Sequence, residues 1–258
     1  MALLEVKNLT MRFGGIVAVD NLSFHVNEGE LISLIGPNGA GKTTVFNVLT
    51  GIYTPTEGEV IFDGKNIVGK SSQDIVIMGI SRTFQNLRLY RNMRTIENVL
   101  VGDHINTDYS FIDLLFRTKK FREGEIKAHE KALNILKMVG LLDKADTYAD
   151  SLPYGEQRRL EIARAIATGA RVLLLDEPAA GMNPTESENL MQFIRSLLSQ
   201  GFTVVMIEHD MNIVMNISDR IYVLDFGKLI AEGKPEEIAN NPRVIEAYLG
   251  GGDLDEDA

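Results

Sequence analysis

Apolar and polar residues alternate in LLEVKNLT and again in NLSFHV, with a break at Gly14–Gly15. Alternation with period two marks a strand with one buried face, so the first ~30 residues predict short strands joined by a turn. The pattern then changes. LISLI, 31 to 35, is apolar throughout and stops at Gly36, as suits a strand buried on both faces. A helix is expected from about Lys42 through TTVFNVLTG, with Gly51 as its stop. GEVIFDGKNI predicts a hairpin turning at Asp63–Gly64. From about 86 to 158 the period lengthens. Ala132, Leu133, Ile135, Leu136 and Val139 recur at helical spacing, RTIENVLVG reads as a helix, and NTDYSFIDLLFRTKKFREGE is partly amphipathic and basic. This region predicts a helical subdomain inserted into an α/β core. VLLLD (172–176) and FTVVMIE (202–208) are two more buried-strand runs, separated by a helical ESENLMQFIRSLLSQ. That order implies parallel pairing through a right-handed crossover. RIYVLDFGKLIAEG adds a hairpin, and PEEIA and PRVIEAYLG short helices.

Composition narrows the choice of class. A chain of 258 residues suffices for one large domain or a core with a subdomain. No apolar run approaches the ~18 residues that span a bilayer. Glu5 and Lys7 interrupt the start where a secretion signal would be apolar, so secretion is not expected. With no cysteine, disulfides and thiolate zinc sites are excluded. The net charge of −10 argues against a nucleic-acid partner. Part of it sits in GGGDLDEDA, whose residues 251–258 read as a solvated, disordered tail.

The chemistry enters at GPNGAGKT, residues 36 to 43. Gly36, Gly39 and Gly41 let the backbone fold into a nest of inward N–H groups, and the helix that follows adds its positive end. The loop Gly36, Pro37, Asn38, Gly39, Ala40, Gly41 with Lys42, Thr43 and Thr44 is expected to cradle a nucleotide's phosphates. Lys42 supplies charge to the β and γ phosphates, and Thr43 a hydroxyl to Mg2+. Such a loop calls for a carboxylate at the end of another core strand. VLLLDEP offers Asp176 and Glu177. Neighbouring side chains on an extended chain diverge, so Asp176 can serve the metal and Glu177 an attacking water.

With these in place, the sequence resembles the ATP-binding subunits of ABC transporters along nearly its whole length. RTFQ ends in Gln85 at the family's Q-loop, LPYGEQRRLEIARA stands at its signature, EPAAGMNP at its D-loop, and MIEHD gives His209 as its switch histidine. Phe13 matches the aromatic that stacks on adenine. RTFQN, EPAAGMNP, the long helical insert and the ending EAYLG resemble one branch most, the branched-chain amino acid importers of the LivG type.

The resemblance implies a P-loop NTPase core with an N-terminal antiparallel β-subdomain and an inserted α-helical subdomain. One ABC ATPase domain would span 1–250, with the core at 1–85 and 159–250 and the helical signature subdomain at 86–158. It implies ATP and Mg2+ as cofactors. Gln85 would join Thr43 and Asp176 at the metal, and Glu177, His209 and Lys42 would act in hydrolysis. It also implies a second ATPase subunit, more in keeping with a related chain than an identical one, whose nucleotide meets Pro153, Tyr154, Gly155, Glu156 and Gln157. Two membrane permeases and, through them, a substrate-binding protein complete the complex, placing the chain at the cytoplasmic face of the membrane. Gln85 and Arg88 to Arg94 would touch a permease.

Each residue also has a structural reading: Phe13 as a half-buried strand aromatic, Gln85 as a surface amide, His209 as a strand cap. On the signature helix, Arg158, Arg159, Glu161 and Arg164 are expected on solvent and subunit faces, with Leu160, Ala163 and Ala167 packed inward. Two positions depart from the family pattern. Pro153 stands where a serine is usual and has no hydroxyl to give. Asn183 stands where aspartate is common and keeps hydrogen-bonding capacity without charge. Related ATPases for urea or amide import or lipopolysaccharide export share these motifs, as do soluble ABC ATPases of translation, repair or iron–sulfur assembly. The long segment between Gln85 and Ser151 favours the amino-acid branch. A single cassette without long coiled coils disfavours translation and repair, and Glu177 with His209 disfavours a regulator that does not hydrolyse.

Overall fold

The computed structural model describes residues 2–107 and 109–249; the acidic tail expected at 251–258 lies outside them. β1 (Ala2–Phe13) and β2 (Ile16–Asn27) pair antiparallel. Both are longer than the short strands expected. Asn21, where the second strand is expected to begin, lies inside β2, opposite Asn8 of β1. Both take positive φ, 50° and 51°, and Asn8 Nδ2 donates to Asn21 Oδ1 at 2.9 Å. The register shifts around them, so they form an irregularity that bends the ladder without ending it.

β3 (Leu31–Ile35) follows, then α1 (Lys42–Leu49), β4 (Glu57–Phe62) and β5 (Lys65–Asn66), with the hairpin turning at Asp63–Gly64 as expected. α2 (Ser72–Met78) and β6 (Ile80–Arg82) are additional; three residues are too few to show a period. The helical region comprises α3 (Thr95–Asp103), α4 (Phe111–Leu115), α5 (Lys119–Met138) and α6 (Tyr154–Ala167). β7 (Val172–Asp176), α7 (Pro184–Leu198), β8 (Thr203–Ile207), α8 (Met211–Ile217), β9 (Arg220–Asp225), β10 (Lys228–Gly233), α9 (Pro235–Ala239) and α10 (Pro242–Leu249) complete it.

The strands form two sheets. One is antiparallel, in the order β2-β1-β4-β5; the other runs β10-β9-β3-β8-β7-β6, parallel except for β10. β3, β7 and β8 are buried at every residue, which is why their sequences are unbroken apolar runs. On one face Leu173, Leu175, Val204 and Met206 pack with Leu160, Ala163 and Ala167 of α6 and Leu190 and Ile194 of α7. On the other, Ile32, Leu34, Leu174 and Val205 meet Phe46 of α1 and Leu4, Val6 and Phe24 of the antiparallel sheet. Each such aliphatic side chain contributes about 1.5–3 kcal/mol on burial. This double cover fixes the parallel strands, and the loops leaving β3, β6, β7 and β8 emerge at their carboxyl ends, along one edge. No helix among the described residues is long and apolar enough to cross a membrane.

Candidate nucleotide site

The loop from Gly36 to Gly41 joins the carboxyl end of β3 to α1. Gly36 takes φ 147°, and a Cβ there would lie 2.0 Å from the carbonyl oxygen of Leu224, so no other residue fits. The loop wraps the Lys42 side chain, whose Nζ donates to Gly36 O at 2.6 Å and Pro37 O at 2.9 Å. Burial pulls the Lys42 ammonium below its usual pKa, and the carboxylates of Glu177 and Asp176 oppose that shift. Thr43 is exposed at the first turn of α1. A cavity of about 240 Å³ is lined by Asn38, Gly39, Ala40, Gly41, Lys42, Thr43 and Thr44, together with Ala18, Glu177 and His209. A larger groove between α7 and α8, about 900 Å³, contains none of the phosphate-loop residues.

Asp176 ends β7 and Glu177 follows it with φ 47°. That left-handed turn is uncommon for a residue with a side chain and sends the two carboxylates apart. Glu177 Oε2 accepts from Gln85 Nε2 at 2.6 Å, and Oε1 lies 2.5 Å from His209 Nε2. Three residues far apart in sequence therefore meet at the mouth of the phosphate loop. Phe13 is 41% exposed at the end of β1 and packs edge-on against Tyr53, with ring centroids 5.1 Å apart. It does not line the cavity.

Asp176 has a partner that sequence reasoning missed. Arg82 Nη2 donates to Asp176 Oδ2 at 2.6 Å, and its Nη1 donates to Asn47 Oδ1 of α1 at 2.7 Å. Its guanidinium sits 5.5 Å from the Phe46 ring centroid and 5.1 Å from that of Phe84, and its Nε has no partner among the described residues. The oxygen-only donor set of Thr43, Asp176 and Gln85 suits a hard cation that keeps most of its water, as Mg2+ does. Arg82 holds one Asp176 oxygen and leaves Oδ1 for such an ion. Glu208 was also missed. It is buried, accepts from Ala179 N at 2.9 Å and His209 N at 3.2 Å, and its pKa is raised by burial. It ties the loop after Glu177 to the end of β8. A carboxylate at the end of a fully apolar strand was the available signal.

The signature segment lies elsewhere on this chain. Pro153 caps α6 without a side-chain bond, and among the described residues the N–H groups of Tyr154 and Gly155 have no acceptor. A Cβ on Gly155 would meet nothing within 4 Å, so nothing within this chain demands glycine there. Asn183 caps α7, its Oδ1 accepting from Glu186 N at 3.0 Å.

The expected outward faces of α6 need correction. Leu160, Ala163 and Ala167 are buried as expected, but so are Arg158, 2% exposed, and Glu161, 5% exposed. Arg158 Nη1 donates to Phe84 O at 2.9 Å and to Glu161 Oε2 at 3.1 Å; Nη2 donates to Gln85 O and, at 3.0 Å, to the Tyr154 hydroxyl. That hydroxyl donates to Ala180 O at 3.0 Å. Arg164 Nη1 donates to Arg88 O. The charges at helical spacing are an internal clamp on the backbone around Gln85, because a guanidinium carries five donors in a fixed fork and meets several acceptors at once.

A stability test follows from this clamp. Arg158→Met should cost about 3–5 kcal/mol by stranding Glu161, measured by denaturant unfolding, and adding Glu161→Gln should restore part of it. Burial already raises the Glu161 pKa, opposed by Arg158 and by backbone bonds. A carboxyl whose folded pKa is raised loses stability as pH rises. Removing Arg158 enlarges that loss, so the gap to wild type should widen towards neutral pH and narrow below about pH 4, to the part that comes from the bonds to Phe84 O, Gln85 O and Tyr154. A gap independent of pH would contradict the role.

The chain matches the family described as ABC transporter over residues 19–180, and the one described as Branched-chain amino acid ATP-binding cassette transporter over residues 228–253. It is 50% identical over 249 residues to the high-affinity branched-chain amino acid transport ATP-binding protein LivG of Salmonella typhimurium, covering 96% of this chain and 98% of that protein. The corresponding protein BraF of Pseudomonas aeruginosa matches at the same identity and coverage. Among solved structures, an ATP-binding cassette of an ABC transporter in its ADP conformation superposes with a TM-score of 0.85 at 35% identity, over 97% of this chain and 99% of that one. The chain therefore belongs to the ATP-binding subunits of ABC transporters, in their branched-chain amino acid branch, and is an ATPase of that family.

Proposed function

We propose that this ATPase energises uptake of branched-chain amino acids through partner permeases. The site reading rests on one observation above all: Glu177 is held between Gln85 and His209 at the mouth of the phosphate-loop cavity. There it orients a water against the γ-phosphate and accepts its proton. Lys42 and His209 stabilise charge on the transferring group. Thr43 and Asp176, with Gln85, hold Mg2+, which when bound supplies charge neutralisation on the phosphates. Phe13 stacks on the base. The free N–H groups of Tyr154 and Gly155 meet the nucleotide of a second, related subunit, which supplies donors that an open loop lacks and excludes water. Backbone donors carry that contact in place of the hydroxyl missing at Pro153. We assign residues 86–158 to a helical subdomain within one ATPase domain, and Gln85 with Arg88 to Arg94 to a permease contact on the cytoplasmic side.

The cargo reading rests on the half-identity to LivG and BraF. Its test is to isolate the intact complex from membranes, identify its subunits and reconstitute it. Uptake of labelled leucine that depends on ATP is expected. Copurification with permeases that move only urea or amides, or no association with membranes, would overturn it.

A further inference from the structure

The segment between α3 and α5 has an inverted arrangement. Polar side chains bond within the turn, and Ile112, Leu115 and Phe116 face out. Ser110 caps α4, and Asp113 uses both carboxylate oxygens locally: Oδ2 accepts from Ser110 Oγ at 2.8 Å and Oδ1 from Thr118 Oγ1 at 2.9 Å. Tyr109 packs edge-on against Phe121 at 5.1 Å, and its hydroxyl bonds Glu125 Oε1 at 2.5 Å, which fastens the segment to α5. Arg117 makes the turn with φ 45°. On this built support Ile112 is 65% exposed, Leu115 64% and Phe116 74%. No described residue covers them.

Charge identifies what does. From Arg117 to Arg122 four of six residues are basic (Arg117, Lys119, Lys120, Arg122), in a chain whose net charge is −10. All four are exposed. Among the described residues the acidic groups nearby are Asp113 and Glu125, already bonded, and Glu123, 3.6 Å from Lys119 in an exposed pair that is weak in water. Exposed aliphatic and aromatic side chains beside a cluster of Lys and Arg are what an anionic bilayer surface binds: the apolar groups enter the headgroup boundary and the cations meet lipid phosphates. The net charge of the whole chain does not favour that surface, so the local cluster has to supply the attraction.

We propose that the α4–α5 turn, through Ile112, Leu115, Phe116 and the basic run Arg117–Arg122, docks directly on an anionic phospholipid surface. The contact is separate from any permease and gives the subunit its own hold on the membrane.

The test uses the full chain and vesicles without permease, so its failure leaves the importer reading standing. The chain has no tryptophan, so Phe116→Trp places a single reporter in the turn. Its emission should shift to the blue with phosphatidylglycerol vesicles and stay put with phosphatidylcholine vesicles, and the shift should reverse in high salt. In flotation, Lys119→Gln/Lys120→Gln should lower binding about fivefold per cation removed. Leu115→Ser/Phe116→Ser should lower it about tenfold or more, with ATPase activity and melting unchanged. Either an unmoved reporter or equal flotation of the serine variant would overturn the proposal. So would a reporter that ignores vesicles but shifts on a delipidated permease complex in detergent, which would make the occupant a protein.

Discussion

Glu177→Gln is expected to bind ATP as tightly as the wild type and to turn it over about 10²–10⁴-fold more slowly, the loss typical of removing a positioned base. The substitution is isosteric. Its amide can still hydrogen-bond to Gln85 and His209, so the cluster keeps its shape, but it cannot take a proton from water. Asp176, bonded to Arg82 on the other side of the strand end, is untouched, so the metal site is preserved. Nucleotide titration against the purified chain and steady-state ATPase in the assembled transporter read the two halves separately. Equal rates for variant and wild type would remove Glu177 from the chemistry. A loss confined to affinity would make it a binding residue.

Lys42→Ala is expected to weaken ATP binding roughly ten- to a hundredfold, the range for losing a hydrogen bond from a charged donor. The side chain has one role in the structure and a second in the proposed site. It bonds Gly36 O and Pro37 O, and in the proposed site its ammonium meets the phosphates. Truncation therefore also leaves two loop carbonyls without their donor. Calorimetric titration with ATP measures the affinity, and the melting temperature of the free chain reports whether the loop survives. Undiminished affinity in a folded variant would remove the phosphate assignment.

Much of this molecule is legible from local pattern. The doubly covered strands β3, β7 and β8 show as unbroken apolar runs because both faces are buried, and the phosphate loop shows because its geometry demands particular residues at fixed spacing. β6 and α2 are invisible because three and seven residues carry too little periodicity. Asn21 misleads because a bulge and a strand end use the same residue types. The charged face of α6 misleads for a deeper reason. Periodicity shows which residues share a face of a helix, and the face carrying Arg158 and Glu161 is a real one. What covers it is the backbone at Phe84 and Gln85, some 70 positions away, and backbone carbonyls leave no trace in a side-chain pattern. Arg82 was hidden likewise: its partner Asp176 had a role already, and nothing local says that a carboxylate has two claimants.

The lysine folded against its own loop bears on which ligands the loop can hold. Tethered a few bonds from Gly36 and Pro37, its ammonium meets their carbonyls within one molecule. A phosphate in the same loop would face N–H groups, so cation and anion take different partners. To reach the phosphates the ammonium gives up two carbonyls, an exchange that a highly charged anion offsets and a weakly charged one does not. The same exchange runs in both directions, so this side chain selects among ligands by charge, and the direction of the cycle comes from hydrolysis.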